Sequence, residues 1–186
     1  MLYFINKGAN EIKVFIMKSK KVVWVAVLSA ISLIMFMIES LFPPLFVTGA
    51  KMGLSNIPSL LVLFTAGTPY SFVILFVRII LGSLVTGSMS TLVYSLPAGI
   101  ISLSVAAVIK LFVKSSVVCT SVASAVVHNI VQNTLFIFIS QTPQMTGYYP
   151  HLALIGILAG AVTGIAVTLL IRSKPVMQAL QKLRLN

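Results

Sequence analysis

Few side chains in this sequence could do chemistry, and they are unevenly placed. Glu39 is one of only two acidic residues, and Arg78 is the one charged residue between Lys51 and Lys110. His128, Asn129, Gln132 and Asn133 stand within two helical turns, with His128/Gln132 and Asn129/Asn133 each four apart, a spacing that puts each pair on one face of a helix. Thr91, Tyr94 and Ser95 form a further group at three-to-four spacing. Tyr148, Tyr149 and His151 open the last apolar run at the same level. Asn and Gln offer both donors and acceptors, which suits them to orienting a polar solute. A cavity holding such a solute is the favoured reading of so dense a cluster, and hydrogen bonding between helices alone is its alternative.

The surroundings of these residues are apolar. Hydrophobic residues make up 59% of the chain and charged residues 8%, with a mean hydropathy of +1.10. A soluble domain carries about 25% charged residues. Residues 22–38, 52–77, 79–109 and 115–171 contain no Lys, Arg, Asp or Glu. A spanning helix needs roughly 20 apolar residues, whereas barrel strands would alternate over about ten. The fold class is therefore an all-α integral membrane protein.

Six spans are expected, over about 22–41, 53–66, 70–86, 89–112, 117–140 and 150–172. Pro43-Pro44 and Gly67-Thr68-Pro69 punctuate the first two. Residues 1–21 read as a cytoplasmic or interfacial segment, 22–172 as the six-helix transmembrane domain, and 173–186 as a basic cytoplasmic tail. The run after Lys18, Lys20 and Lys21 is longer than a signal-peptide core and lacks a small-residue cleavage site, so it reads as a retained first span. Met17 followed by KSKK resembles a start, which makes residues 1–16 an extension or an interfacial segment.

Orientation follows from the basic residues. Six passes put Lys18, Lys20 and Lys21, then Lys110 and Lys114, then Arg172, Lys174, Lys182 and Arg184 on one side, which the positive-inside rule makes the cytoplasm. Both termini are then cytoplasmic. The net charge of +11 reads as a topology signal with affinity for anionic lipid, not as a nucleic-acid surface.

A buried ion in a span costs about 2.5–3.5 kcal/mol unless partnered. Glu39 is the only carboxylate available to Arg78, so a pair is expected, either as a structural clamp or as part of a binding site. Gly156, Gly160 and Gly164 form a small-residue ridge suited to close helix packing, and Ala26 and Ala30 form a weaker one. Cys119 stands alone and reads as a packing residue. No DDxxD, P-loop or CxxC motif is present, and the chain has no aspartate. These absences argue against an enzyme built on paired carboxylates or on ATP hydrolysis. No catalytic residue, metal or cofactor is expected.

The segments GAKMGLSNI at 49–57, YSLPAGI at 94–100 and HNIVQ at 128–132, with the isolated Arg78, resemble the Gx transporter family over about 39–165. Its members are often labelled heptaprenyl diphosphate synthase component I. That family resembles the substrate-binding (S) components of energy-coupling factor (ECF) transporters, compact six-helix membrane proteins that capture a micronutrient from outside. The resemblance implies that Ala26 and Ala30 match an AxxxA surface contacting a transmembrane coupling subunit, which acts with a cytoplasmic ATPase pair. It implies that residues 42–52 form a gating loop. The expected substrate contacts are Phe42, Phe46, Lys51, Asn56, Arg78, Thr91, Tyr94, Ser95, His128, Asn129, Gln132, Tyr148 and Tyr149. The implied ligand is a vitamin or a quinone- or isoprenoid-related precursor. Two other classes stay open: a membrane scaffold of a prenyl-transfer or redox complex, and a lipid-modifying enzyme using His128 as base.

Overall fold

The structure is a computed structural model that describes the backbone at residues 2–41, 53–87 and 89–178, and the side chains of Val22 onward within these segments apart from Thr91. The expected contacts Phe42, Phe46 and Lys51, the proposed gating loop 42–52, and the tail beyond residue 178 lie outside the described residues. Among the described residues the α-helices bounded at both ends are, in order, α1 Leu2–Leu41, α2 Ile57–Thr65, α3 Thr68–Val85, α4 Met89–Val108, α5 Val117–Ser140 and α6 Tyr149–Arg172; residues 174–178 are helical as well. Short 3-10 turns occupy Leu54–Asn56 and Pro143–Tyr148, and α4 ends in a π-helical turn at Ile109–Val113. Among the described residues there is no strand.

Five stretches are long and apolar enough to cross a membrane: Val22–Leu41, Thr68–Val85, Leu92–Val113, Val117–Ser140 and Pro143–Arg172. The expected second span is different. Its nine α-helical residues measure about 14 Å, roughly half of a 30 Å hydrocarbon core. Ile57 through Leu63 are all buried, as suits a helix that is hydrophobic all round. α2 is thus the centre of the bundle and not a lipid-facing rod, and it packs on α1, α3 and α6.

Contacts fix the helix directions. The Ser32 hydroxyl donates to the Ser55 carbonyl, Arg78 donates to the Ser55 hydroxyl, and a Cβ on Gly82 would meet the Phe36 ring. Residues 32 and 36 thus match 78 and 82, so α1 and α3 run in parallel. The chain must return between them, and α2 forms part of that return. Ser55 lies level with Ser32 in the second half of α1, whereas the Leu63 carbonyl accepts from Lys110 Nζ at the far end of α4. That ammonium satisfies one of the carbonyls that a helix C-terminus leaves free. α4, α5 and α6 then alternate in direction, which puts Lys110 and Lys114 at the bundle end where the apolar part of α1 begins and α6 finishes.

The glycine ridge packs inside the bundle. A Cβ on Gly156, Gly160 or Gly164 would lie 2.9, 2.6 and 2.7 Å from the Cα atoms of Val126, Val122 and Val118 respectively. Only glycine permits two backbones so near each other. Ser121 and Thr163 hydroxyls meet at 3.2 Å across the same seam. α5 begins on an N-cap at Ser116, whose hydroxyl accepts from the Cys119 amide at 3.2 Å. Ala26 and Ala30, by contrast, are exposed on α1 among Val22, Val23, Val27 and Ile31.

Candidate functional site

Hydroxyl side chains in apolar helices usually bond the carbonyl one turn back. Ser29, Thr65, Ser104, Thr134 and Thr168 do so here. A second set faces a cavity of about 120 Å³ enclosed by all six helices and the 54–56 turn. Its floor and walls carry Ser55, Asn56, Ser59, Arg78, Ser83, Ser95, Ser102, Ser121, Ser124, His128, Asn129, Gln132 and Thr163 among apolar residues such as Phe36, Leu75 and Leu103. An apolar enclosure with a few convergent polar groups is the usual character of a small-molecule site.

The turn at 54–56 anchors one side. Gly53, at φ +75°, supplies the left-handed conformation that lets the chain enter it. The Glu39 carboxylate accepts from the Leu54 amide at 2.6 Å and the Ser55 amide at 3.3 Å. Arg78 Nη1 donates to Ser55 Oγ at 2.9 Å and to Asn56 Oδ1 at 2.6 Å. Both ionic side chains are buried. The direct Glu39–Arg78 pair expected from the sequence is replaced by a bridged arrangement in which acid and base grip opposite sides of one turn. The two amides satisfy the carboxylate, which can accept from several N–H groups at once.

On the other side stands α5. Ser121, Ser124, Ala125, His128, Asn129 and Gln132 line the cavity in a single three-and-four-spaced stripe. His128 Nδ1 lies 3.3 Å from Ser102 Oγ, and Ser124 Oγ donates to the Ser102 carbonyl at 3.0 Å. Asn129 Nδ2 donates to the Leu152 carbonyl at 3.1 Å, tying α5 to α6. Gln132 makes no hydrogen bond with any described residue. Asn133 is turned elsewhere: its Nδ2 donates to the Met145 carbonyl at 3.2 Å and holds the 143–148 turn.

Six of the residues singled out from sequence therefore meet at one cavity: Asn56, Arg78, Ser95, His128, Asn129 and Gln132. The tyrosines are not among its lining residues. Tyr94 packs edge-on against Phe136 with ring centroids 5.5 Å apart, Tyr149 Oη meets Thr134 Oγ1 at 3.0 Å, and Tyr148 is exposed beside His151. The side chain of Thr91 lies outside the described residues. The sequence reading passed over Ser55, Ser59, Ser83, Ser102, Ser121, Ser124 and Thr163. For α5 the signal was available, since carrying the His128/Gln132 register two turns back reaches Ser124 and Ser121.

Among the described residues, no group of three or more His, Cys, Asp or Glu side chains could hold a metal ion. A family model described as heptaprenyl diphosphate synthase component I matches residues 28–170. That match includes every residue that lines the cavity. No curated protein and no solved structure matches the chain.

Proposed function

The chain belongs to the heptaprenyl diphosphate synthase component I family, and we propose that it works in the membrane as the substrate-binding component of an energy-coupling factor type importer. The observation that carries this reading is the cavity, in which Asn56 of the 54–56 turn, Arg78 of α3, Ser95 of α4 and the His128, Asn129 and Gln132 stripe of α5 line one space. Polar groups serving helix association alone would pair with one another. Gln132 does not, and a solute is the partner that would satisfy it. The solute is a small micronutrient or cofactor precursor, captured from outside the cell across a prokaryotic plasma membrane. No catalytic step is assigned to this chain; a coupling subunit and a cytoplasmic ATPase pair would supply the energy.

The exposed Ala26/Ala30 face of α1 supports a docking role, since small residues let a partner helix approach closely in lipid. Replacing both with Leu should abolish ATP-dependent uptake and copurification of the coupling subunit, while native mass spectrometry still detects a retained small molecule. Loss of both together, or of neither, rules out this surface as the docking face.

The family description favours one other reading, a membrane subunit of a prenyl-transfer complex in which the polar residues only pack helices. That role predicts a soluble prenyl-transferring partner and indifference to the loss of Gln132.

A further inference from the structure

Arg78 carries more donors than the fold uses. Its two bonds to the 54–56 turn both leave from Nη1, and a lysine ammonium could make two such bonds. Nε is buried and has no hydrogen-bond partner, and Nη2 makes no hydrogen bond with any described residue. These two nitrogens form one edge of the guanidinium plane, the edge that pairs side-on with the two oxygens of a carboxylate or phosphate. Glu39 does not fill that role: its oxygens accept from the amides of Leu54 and Ser55, and the hydrogen bonds of Arg78 go to Ser55 and Asn56. A donor on a charged group left buried and unmade, as Nε is, is costly to the fold.

Two further groups that line the cavity, one on α2 and one on α5, are short of partners. Ser59 Oγ is buried without a hydrogen bond, although its carbonyl accepts from Ser71 Oγ at 2.6 Å. Gln132 faces the cavity from α5 with its amide unengaged. The enclosed space of about 120 Å³ compares with the roughly 150 Å³ cavity that admits benzene. A ring-sized body with a polar head suits a space of this size.

Building on the proposed reading of the cavity as a solute site, we infer that it takes a small organic oxyanion, a carboxylate or a phosphate ester, held by the Nε–Nη2 edge of Arg78 and steadied by Ser59 and Gln132. The ring or chain that carries the anion lies against Leu75, Ile79 and Leu103. Arg78 then has two duties, clamping the turn through Nη1 and gripping the ligand through its other edge.

Calorimetry on the full chain in lipid nanodiscs tests this with four probes: benzoate, phenyl phosphate, inorganic phosphate and benzamide, the last an uncharged match for benzoate. At least one oxyanion should bind, and benzoate should bind at least about tenfold more tightly than benzamide, as the loss of a charge-assisted pair predicts. Preference for phenyl phosphate over benzoate would identify the head group as a phosphate ester, and the reverse as a carboxylate. Arg78→Lys, which keeps the charge and the two turn bonds but lacks the fork, should lose about tenfold in oxyanion affinity and leave benzamide unchanged. Equal binding of benzamide and benzoate overturns the oxyanion inference and leaves the cavity a solute site. Failure of all four probes overturns both. The wild-type comparison stands even if the variant does not fold.

Discussion

Gln132 and Asn129 stand one turn apart in the same stripe, yet the structure gives them different work. Asn129 spends its amide donor on the Leu152 carbonyl, so Asn129→Ala should lower thermal stability by about 0.5–1.5 kcal/mol, the net worth of one intramolecular hydrogen bond. Gln132→Ala removes no hydrogen bond within the protein. It should leave the unfolding midpoint unchanged and weaken retention of the copurified small molecule, read by native mass spectrometry. A stability loss at Gln132 equal to that at Asn129 would make both residues helix glue. The Glu39–Arg78 relation is also decided at this scale. Because Arg78 reaches the turn through Ser55 Oγ, Ser55→Ala should make the effects of Glu39→Gln and Arg78→Gln more nearly additive in a thermal-unfolding cycle. A direct ion pair would keep its full coupling when Ser55 is changed. The residues themselves were visible in the sequence, since ionic and amide side chains stand out in an apolar chain. Their partners were not, because the Leu54 and Ser55 amides that hold Glu39 are backbone groups with no mark in residue type.

Helix existence was legible wherever an uncharged run met a breaker, and α5, expected over 117–140, is found at Val117–Ser140. α2 was the exception. Its sequence IPSLLVLFT is apolar enough for a span, but hydropathy measures dislike of water and does not separate lipid from protein as the alternative. The serines of the cavity were overlooked for a related reason: a hydroxyl hides easily in a helix by bonding the preceding turn, as Ser29 and Ser104 do. The glycine ridge, by contrast, was legible in kind and in partner class, because three small residues four apart in lipid have little use other than close approach. Its depth sets a prediction. At Gly160 an added Cβ would press on Val122 Cα at 2.6 Å, a backbone contact that can yield only by moving a helix, so Gly160→Ala should destabilise by roughly 1–3 kcal/mol, the usual cost of overpacking. Gly147, with nothing within 4 Å of its Cβ position, should accept alanine with no measurable change in the unfolding midpoint. Equal tolerance at the two sites would mean that α5 and α6 are not held at glycine distance.

At the scale of the molecule, one short buried helix decides how the chain lies in the membrane. α1 and α3 run in parallel, so the chain must travel back between them, and α2 covers only about half the bilayer depth. If the return carries it to the cytoplasmic side, the basic residues at 18–21, 110–114 and 172–174 share one face, in accord with the positive-inside rule. Pro69, exposed at the start of α3, reports on that return directly. In a Cys119→Ser background, which removes the single native thiol, cysteines can be placed one at a time at Pro69, at Gln144 in the 143–148 turn and at Lys174 beyond α6. A membrane-impermeant maleimide applied to intact cells should label Gln144→Cys, whereas Pro69→Cys and Lys174→Cys should react only after permeabilisation. Labelling of Pro69→Cys from outside would mean that the α2–α3 turn faces out and that the chain makes its return elsewhere. The same pattern bears on the cavity, since Ser55 and Arg78 lie toward the Glu39 end of α1 and Lys110 closes the opposite end against Leu63. An outward Gln144 with an inward Pro69 therefore opens the Arg78 end toward the outside and leaves the Lys110 end sealed toward the cytoplasm, the arrangement that capture from outside requires.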